Sequence, residues 1–183
     1  MSDGLPTLSG RDIRLRQLTQ ADAADLFDVF SDPRVMRYWS RDPFRHLDEA
    51  RQLVEDIDGG WRGDTLYQWG IEPEGAGRIV GTTTLFQLST VHRRAEVGFA
   101  LGSAWWGRGL ARAAVGCLIA HAFGTLDLAR LEADVDPRNA PSLGLLERLG
   151  FQREGLLRQR YRVAGEVQDS VILGLLKAEW TPS

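Results

Sequence analysis

A cluster of glycines marks the segment of this sequence that could bind an anion. Gly98, Gly102, Gly107 and Gly109 fall within twelve positions of a chain that contains 20 glycines. A strand pattern over 94–101 leads into this segment, and an alanine- and leucine-rich helix pattern over 107–124 leaves it. Glycine lets the backbone curl so that several N–H groups point at one spot, and a helix start adds unpaired donors. The spacing therefore predicts an anion site suited to a pyrophosphate.

Other glycine-rich loops fit this segment less well. The phosphate loop of nucleoside triphosphatases needs Gly-Lys-Ser/Thr, and no lysine occurs here. A dinucleotide-binding fingerprint is disfavoured, because Arg112 stands at its third glycine position and Ser103 to Trp106 separate the strand from the glycines. From the glycines alone, a turn with a helix cap and no ligand stays open.

Two motifs resemble the signatures of the GCN5-related N-acetyltransferase (GNAT) superfamily. The run Trp106-Gly107-Arg108-Gly109-Leu110-Ala111 is similar to the family's Q/R-x-x-G-x-G/A loop, although the first position departs from the usual Gln or Arg. Residues 136–142 and 146–151 are similar to its second signature, N-x-x-S-x-x-x-x-E-K-x-G-F. The aromatic-Trp-Gly-Lys/Arg-Gly form, the opening LRQLTQADA and the closing LLKAEW resemble the branch that acetylates N-termini of ribosomal proteins. The resemblance covers residues 11–180.

This resemblance carries expectations about fold and activity. It implies a single-domain α/β (α+β) GNAT fold with a mixed, mostly antiparallel sheet of about six to seven strands flanked by helices. It also implies an enzyme that uses acetyl-CoA as co-substrate and passes acetyl directly to a primary amine in a ternary complex. The favoured acceptor is a protein N-terminus of the ribosomal type. The alternatives are a small amine (an aminoglycoside, polyamine or amino acid) and a catalytically silent acyl-CoA-binding module.

The resemblance also assigns residues to acetyl-CoA. The backbone of the strand would pair with the pantetheine arm at Phe99, Ala100 and Leu101. Asn139 would hydrogen-bond the same arm, and capping of the following helix is its alternative role. The residues of the loop that would hold the pyrophosphate are Trp106, Gly107, Arg108, Gly109, Leu110, Ala111 and Arg112.

Two side chains are candidates for proton transfer. An amine is largely protonated near neutral pH, so a base must remove a proton before it attacks a thioester. Glu96 is the candidate base, because Ala-Glu-Val-Gly-Phe resembles the strand that bears the general-base glutamate in histone-acetylating relatives. Ser142 is the candidate acid for the departing thiolate, with Tyr161 as an alternative. The competing roles are a polar strand residue for Glu96, a helix serine for Ser142 and aromatic packing for Tyr161.

Hydrophobic periodicity predicts the elements that position these residues, in the order βα(α)βββαβαββ. Residues 1–10 are expected to form a flexible leader, and 11–180 a single N-acetyltransferase domain. A helix from Leu47 through Ile57 is expected to end at Gly59-Gly60. The other predicted elements are strands over 12–18, 94–101 and 131–135, helices over 20–31, 107–124 and 139–149, and hairpins over 65–87 and 156–176.

Composition narrows the class of protein further. The net charge of −3 gives no global reason to bind nucleic acid, and the single Cys117 excludes an intrachain disulfide. The scattered histidines show no metal-ligand spacing, so no metal is expected. The start of the chain does not resemble a secretory signal, and no run is long enough to span a membrane. We therefore expect a cytoplasmic protein, as a monomer or a homodimer.

Overall fold

This computed structural model describes residues 4–181, which contain eight β strands and five α helices. The strands are β1 (Leu8–Gly10), β2 (Ile13–Gln17), β3 (Leu66–Pro73), β4 (Gly81–Ser89), β5 (Arg94–Leu101), β6 (Arg130–Val135), β7 (Gln152–Val163) and β8 (Glu166–Leu176). The helices are α1 (Ala23–Phe30), α2 (Pro33–Met36), α3 (Leu47–Arg62), α4 (Leu110–Gly124) and α5 (Ala140–Arg148). The predicted order of elements is confirmed, with one additional strand at the start.

A single mixed sheet holds all eight strands in the order β1-β2-β3-β4-β5-β6-β8-β7. Every neighbouring pair is antiparallel except β5 and β6, which run parallel. This parallel pair is in register only from Arg94 opposite Arg130 to Glu96 opposite Glu132. Beyond Glu96 the two strands diverge, β5 staying with β4 and β6 with β8. The divergence opens the middle of the sheet into a wedge.

Helices cover both faces of the sheet and bury two apolar clusters. Helix α4 packs with Ala95 and Val97 of β5 and with the inner residues of α5. Helices α1 and α3 pack on the opposite face, where Ala100 joins their cluster. Because side chains alternate along a strand, Glu96 points to the same face as Ala100. Within residues 4–181, no helix is both long and apolar enough to cross a membrane.

Helix α3 continues past the glycines that were expected to end it. It runs to Arg62, and Gly63 closes it by donating its N–H to the carbonyl of Gly59 at 3.0 Å. A Cβ at Gly60 would lie 2.9 Å from the Cβ of Leu66. The glycine therefore allows α3 to pack closely on the start of β3. In the sequence alone, a glycine that is needed for such packing looks the same as one that ends a helix.

Residues 4–10 differ from the expected flexible leader over residues 1–10. Residues 1–3 lie outside the described part, but Leu5 is buried and β1 pairs with β2. The indole Nε1 of Trp69 donates to the carbonyl of Pro6 at 2.8 Å. A Cβ at Gly10 would collide with the Sγ of Cys117 on α4. This segment is therefore part of the sheet and the core, and it raises the strand count from the predicted six or seven to eight.

We expect Leu5→Ala to lower the free energy of unfolding by about 2–3 kcal/mol, the usual effect of emptying a leucine site in a core. Leu156→Ala is the matched control, because Leu156 is 53% exposed on β7 and its truncation leaves no cavity. Urea unfolding of both variants measures the difference. An unchanged urea midpoint for Leu5→Ala would contradict the burial of Leu5 and favour a flexible leader.

Candidate active site

Glu96 lies where β5 and β6 separate, with its carboxylate in the resulting cleft. The side chain is partly buried, and it has no hydrogen-bond or ion-pair partner within residues 4–181. Burial, reinforced by the negative charges of Asp134 and Glu132, raises the pKa of Glu96 to about 7. The positive charges of Arg160 and Arg94 oppose this rise. Such a carboxylate is poised to accept a proton near neutral pH.

The cleft around Glu96 has a volume of about 410 Å³ and passes through the wedge in the sheet. Of the residues predicted for the site, it brings together Glu96, Phe99, Asn139 and Ser142. Tyr161, the alternative acid, also lines it. Its remaining walls are largely aromatic and apolar, from Phe30, Tyr38, Trp39, Leu53, Leu66, Phe86, Val97, Val135 and Leu146. Of the predicted pantetheine contacts on β5, Ala100 and Leu101 are buried and do not line this cleft.

Asp134 on β6 faces Glu96 across the cleft, and the sequence analysis missed it. Its Oδ2 accepts a hydrogen bond from the Tyr161 hydroxyl at 2.9 Å, and its Oδ1 accepts one from Ser170. The Nε of Arg160 lies 3.6 Å from Oδ2. Burial and the hydrogen bond to Asp134 raise the pKa of Tyr161, so its hydroxyl keeps its proton. The sequence does contain a signal for this residue, because the acidic Glu132 and Asp134 alternate with apolar residues on the strand that follows α4.

The glycine loop has the backbone conformation that its sequence predicts. Gly107 and Gly109 have φ angles of 76° and 77°, in the left-handed region that side chains with a Cβ disfavour. Helix α4 begins directly afterwards, at Leu110. The consecutive N–H groups from Gly107 to Arg112 have no hydrogen-bond acceptor within residues 4–181. A row of free donors at a helix start is suited to phosphate oxygens.

One side chain of the loop anchors it to β5, and two arginines beside it have no acidic partner among the described residues. The indole Nε1 of Trp106 donates to the Leu101 carbonyl at 2.7 Å, which ties the loop to the end of β5. The guanidinium of Arg108 lies 4.9 Å from the ring centre of Trp105. Arg112 is exposed, and neither arginine pairs with a carboxylate in the described part of the chain. Both guanidinium groups are therefore available to an anion at the loop.

Helix α5 brings Asn139 and Ser142 to the other side of the cleft. Asn139 caps the helix, since its Oδ1 accepts the N–H of Ser142 at 3.3 Å, and a proline occupies the first turn. The capping role considered for Asn139 is therefore present. Both residues also line the cleft that contains Glu96.

Comparison with known proteins agrees with this geometry. The model of the acetyltransferase (GNAT) domain matches residues 12–152. N-acetyltransferase p20 of Bacillus licheniformis is 35% identical over 176 residues, which cover 96% of this chain and 99% of that protein. A crystal structure of a probable acetyltransferase superposes with a TM-score of 0.87 at 29% identity, covering 97% of this chain and 100% of that one.

Two further relatives act on different acceptors. The spermidine N(1)-acetyltransferase of Escherichia coli K12 is 25% identical over 94% of this chain and 90% of its own length. The [ribosomal protein uS5]-alanine N-acetyltransferase of the same strain is 34% identical, but only over 47% of this chain and 44% of its own length. Similarity of sequence thus leaves the acceptor open between a polyamine and a protein N-terminus.

Proposed function

Because this chain belongs to the GNAT family of acetyltransferases and uses acetyl-CoA as its co-substrate, we propose that it acetylates protein N-termini with Glu96 as the general base. One observation carries the assignment of the base. Glu96 is a partly buried carboxylate without a partner, at the point where the strands part, and its pKa is raised to about 7. A base with that pKa is half ionised near neutral pH, where it can take a proton from an ammonium group.

Three parts of the structure would hold acetyl-CoA: the glycine loop, the edge of β5 and the start of α5. The free N–H groups from Gly107 to Arg112 would bind the pyrophosphate, helped by Arg108 and Arg112. The unpaired edge of β5 beyond Glu96 would hydrogen-bond the pantetheine arm near Phe99, with Asn139 on the opposite side. Acetyl-CoA supplies an acyl group activated as a thioester.

In this proposal one side chain takes a proton from the amine, and another protonates the departing sulfur. Glu96 accepts the proton that the amine must lose before its nitrogen bonds to the acyl carbon. Ser142 donates its hydroxyl proton to the sulfur as the carbon–sulfur bond breaks, and it regains a proton from the nitrogen, which loses its second proton as the amide forms. Tyr161 is not the acid in this proposal, because its hydroxyl already donates a hydrogen bond to Asp134 at 2.9 Å.

A polyamine is the second candidate acceptor. Besides Glu96, Asp169 lines the cleft and keeps one carboxylate oxygen free, since only its Oδ1 accepts a hydrogen bond, from the N–H of Gln159. Two carboxylates could bind two ammonium groups of one molecule. The other acidic side chains in the cleft, Asp134 and Asp136, are already engaged by internal donors.

Release of free CoA thiol against an acceptor panel tests these alternatives. We expect turnover of peptides with a free α-amine and no turnover of the same peptides with a blocked N-terminus. Spermidine, an aminoglycoside and a free amino acid complete the panel. A kcat/KM for spermidine at least tenfold above that of every peptide would overturn the proposed acceptor. Tight acetyl-CoA binding with no amine acetylated would favour the silent binding module.

A further inference from the structure

Arg41 is the one cationic side chain among the cleft-lining residues of the described part of the chain. It lies in the irregular segment between α2 and α3, on the wall formed with Tyr38 and Trp39. Its guanidinium carbon is 4.3 Å from the ring centre of Phe44. Stacking on an aromatic ring orients a guanidinium and leaves its N–H groups free at the edge.

The ring on which Arg41 stacks, that of Phe44, is fixed by the core. Phe44 is 3% exposed and its N–H donates to the carbonyl of Phe30 at 2.9 Å. The two rings also pack with centres 5.6 Å apart. Arg41 is therefore placed by the core of the α1 and α3 layer, even though the side chain itself is exposed.

No carboxylate within residues 4–181 forms an ion pair with Arg41. The charge of Arg41 acts on the carboxylate of Glu49. That carboxylate caps the start of α3, where its Oε1 accepts the N–H groups of Arg45 and His46 at 2.7 and 2.9 Å. The guanidinium of Arg41 therefore faces the cleft with its hydrogen-bonding capacity unused.

The cleft consequently has two walls of opposite charge. Glu96 and the free oxygen of Asp169 lie on the sheet side, and Arg41 lies on the side of the loop before α3. Asp136 adds no free negative charge, since Arg138 binds it through its backbone N–H and its guanidinium. A molecule that matches both walls carries an ammonium group and a carboxylate.

We propose that Arg41 binds a carboxylate of the acceptor, so that the preferred acceptors are protein N-termini with Asp or Glu at the second or third residue. This inference rests on the proposed function, in which Glu96 takes the proton of the α-amine. A guanidinium matches a carboxylate with two parallel N–H donors, and the same positive charge repels a polyamine.

Paired peptides that differ only by Glu and Gln test the role of Arg41. One pair carries the change at the second residue and the other at the third. For at least one of the two pairs, we expect the wild-type enzyme to acetylate the Glu peptide with a kcat/KM about two- to fivefold above that of the Gln peptide, the size usual for an exposed ion pair. Raising the salt concentration should reduce this preference, because the pair is exposed to solvent.

The variants separate the charge of Arg41 from its geometry. Arg41→Ala should bring the ratio of kcat/KM between the Glu and Gln peptides to about one, whereas Arg41→Lys should keep part of the preference. Arg37→Ala is the matched control, because Arg37 also stacks on an aromatic ring, Tyr38, but does not line the cleft. It should keep the full preference.

The outcomes distinguish this inference from the proposed function. An active wild-type enzyme that treats both Glu and Gln peptides alike overturns the role of Arg41 alone, as does a preference that survives Arg41→Ala. Release of CoA with spermidine but with none of the peptides overturns the proposed acceptor class, and the inference falls with it.

Discussion

Glu96→Gln is expected to lower kcat for acetyl transfer by about 100-fold or more, which is the usual contribution of a positioned general base. Glutamine keeps the size of the side chain and removes its capacity to accept a proton. The Kd of acetyl-CoA should stay unchanged, because the proposed phosphate donors lie on the glycine loop and α4. Stopped-flow or thiol-release kinetics give kcat, and calorimetry gives the Kd.

The pH profile identifies Glu96 more sharply than the rate alone. Its pKa of about 7 means that the carboxylate is protonated, and inactive as a base, at lower pH. The kcat/KM of the wild-type enzyme should therefore fall as the pH decreases through about 7. In Glu96→Gln the limb that belongs to Glu96 should be lost, and the residual activity should follow the deprotonation of the amine at higher pH.

Glu132→Gln provides a matched control on the neighbouring strand. Glu132 is opposite Glu96 in register, but its carboxylate is bound by Arg94 at 2.7 Å and Arg130 at 2.8 Å. Removing its negative charge lowers the pKa of Glu96, so the acidic limb should move to lower pH with most of the turnover retained. Full turnover in Glu96→Gln would show that the base assignment is wrong.

Gly109→Ala is expected to weaken acetyl-CoA binding about tenfold, and Gly107→Ala combined with it about 100-fold. A residue with a Cβ in the left-handed region costs about 1–2 kcal/mol, and 1.4 kcal/mol corresponds to a factor of ten. A Cβ at either position meets no other atom within 4 Å. The loop is therefore free to relieve the strain by changing its backbone, which moves the N–H donors away from the pyrophosphate.

Gly116→Ala is the control for these loop variants. Gly116 lies within α4 at an ordinary φ angle, and its Cβ also meets nothing within 4 Å. Alanine favours a helix over glycine by up to about 1 kcal/mol, so stability should rise and the Kd should not change. An unchanged Kd in Gly109→Ala would contradict the proposed role of the loop amides.

Several properties followed from the sequence because they are local. The left-handed glycines, the start of α4 and the cap at Asn139 depend on residues within one or two turns of each other. Both family motifs are continuous segments, and the last hairpin turns at Ala164-Gly165 as predicted. The strand β1 was missed because three residues, Leu8–Gly10, are too few to show an alternating pattern.

Other properties depend on contacts between distant segments, and only the tertiary structure decided them. The position of the proposed base was readable from the motif around Glu96. Its pKa depends on burial and on the charge of Asp134, a residue on another strand. Likewise, Arg41 was one of several arginines in an irregular stretch until the fold placed it in the cleft across from Glu96. Chain folding sets burial and charge proximity over long sequence separations, whereas turn conformation and helix capping are set by neighbouring residues. The sequence therefore determined the family and the conformation of the glycine loop, and the fold determined the charges that surround the cleft.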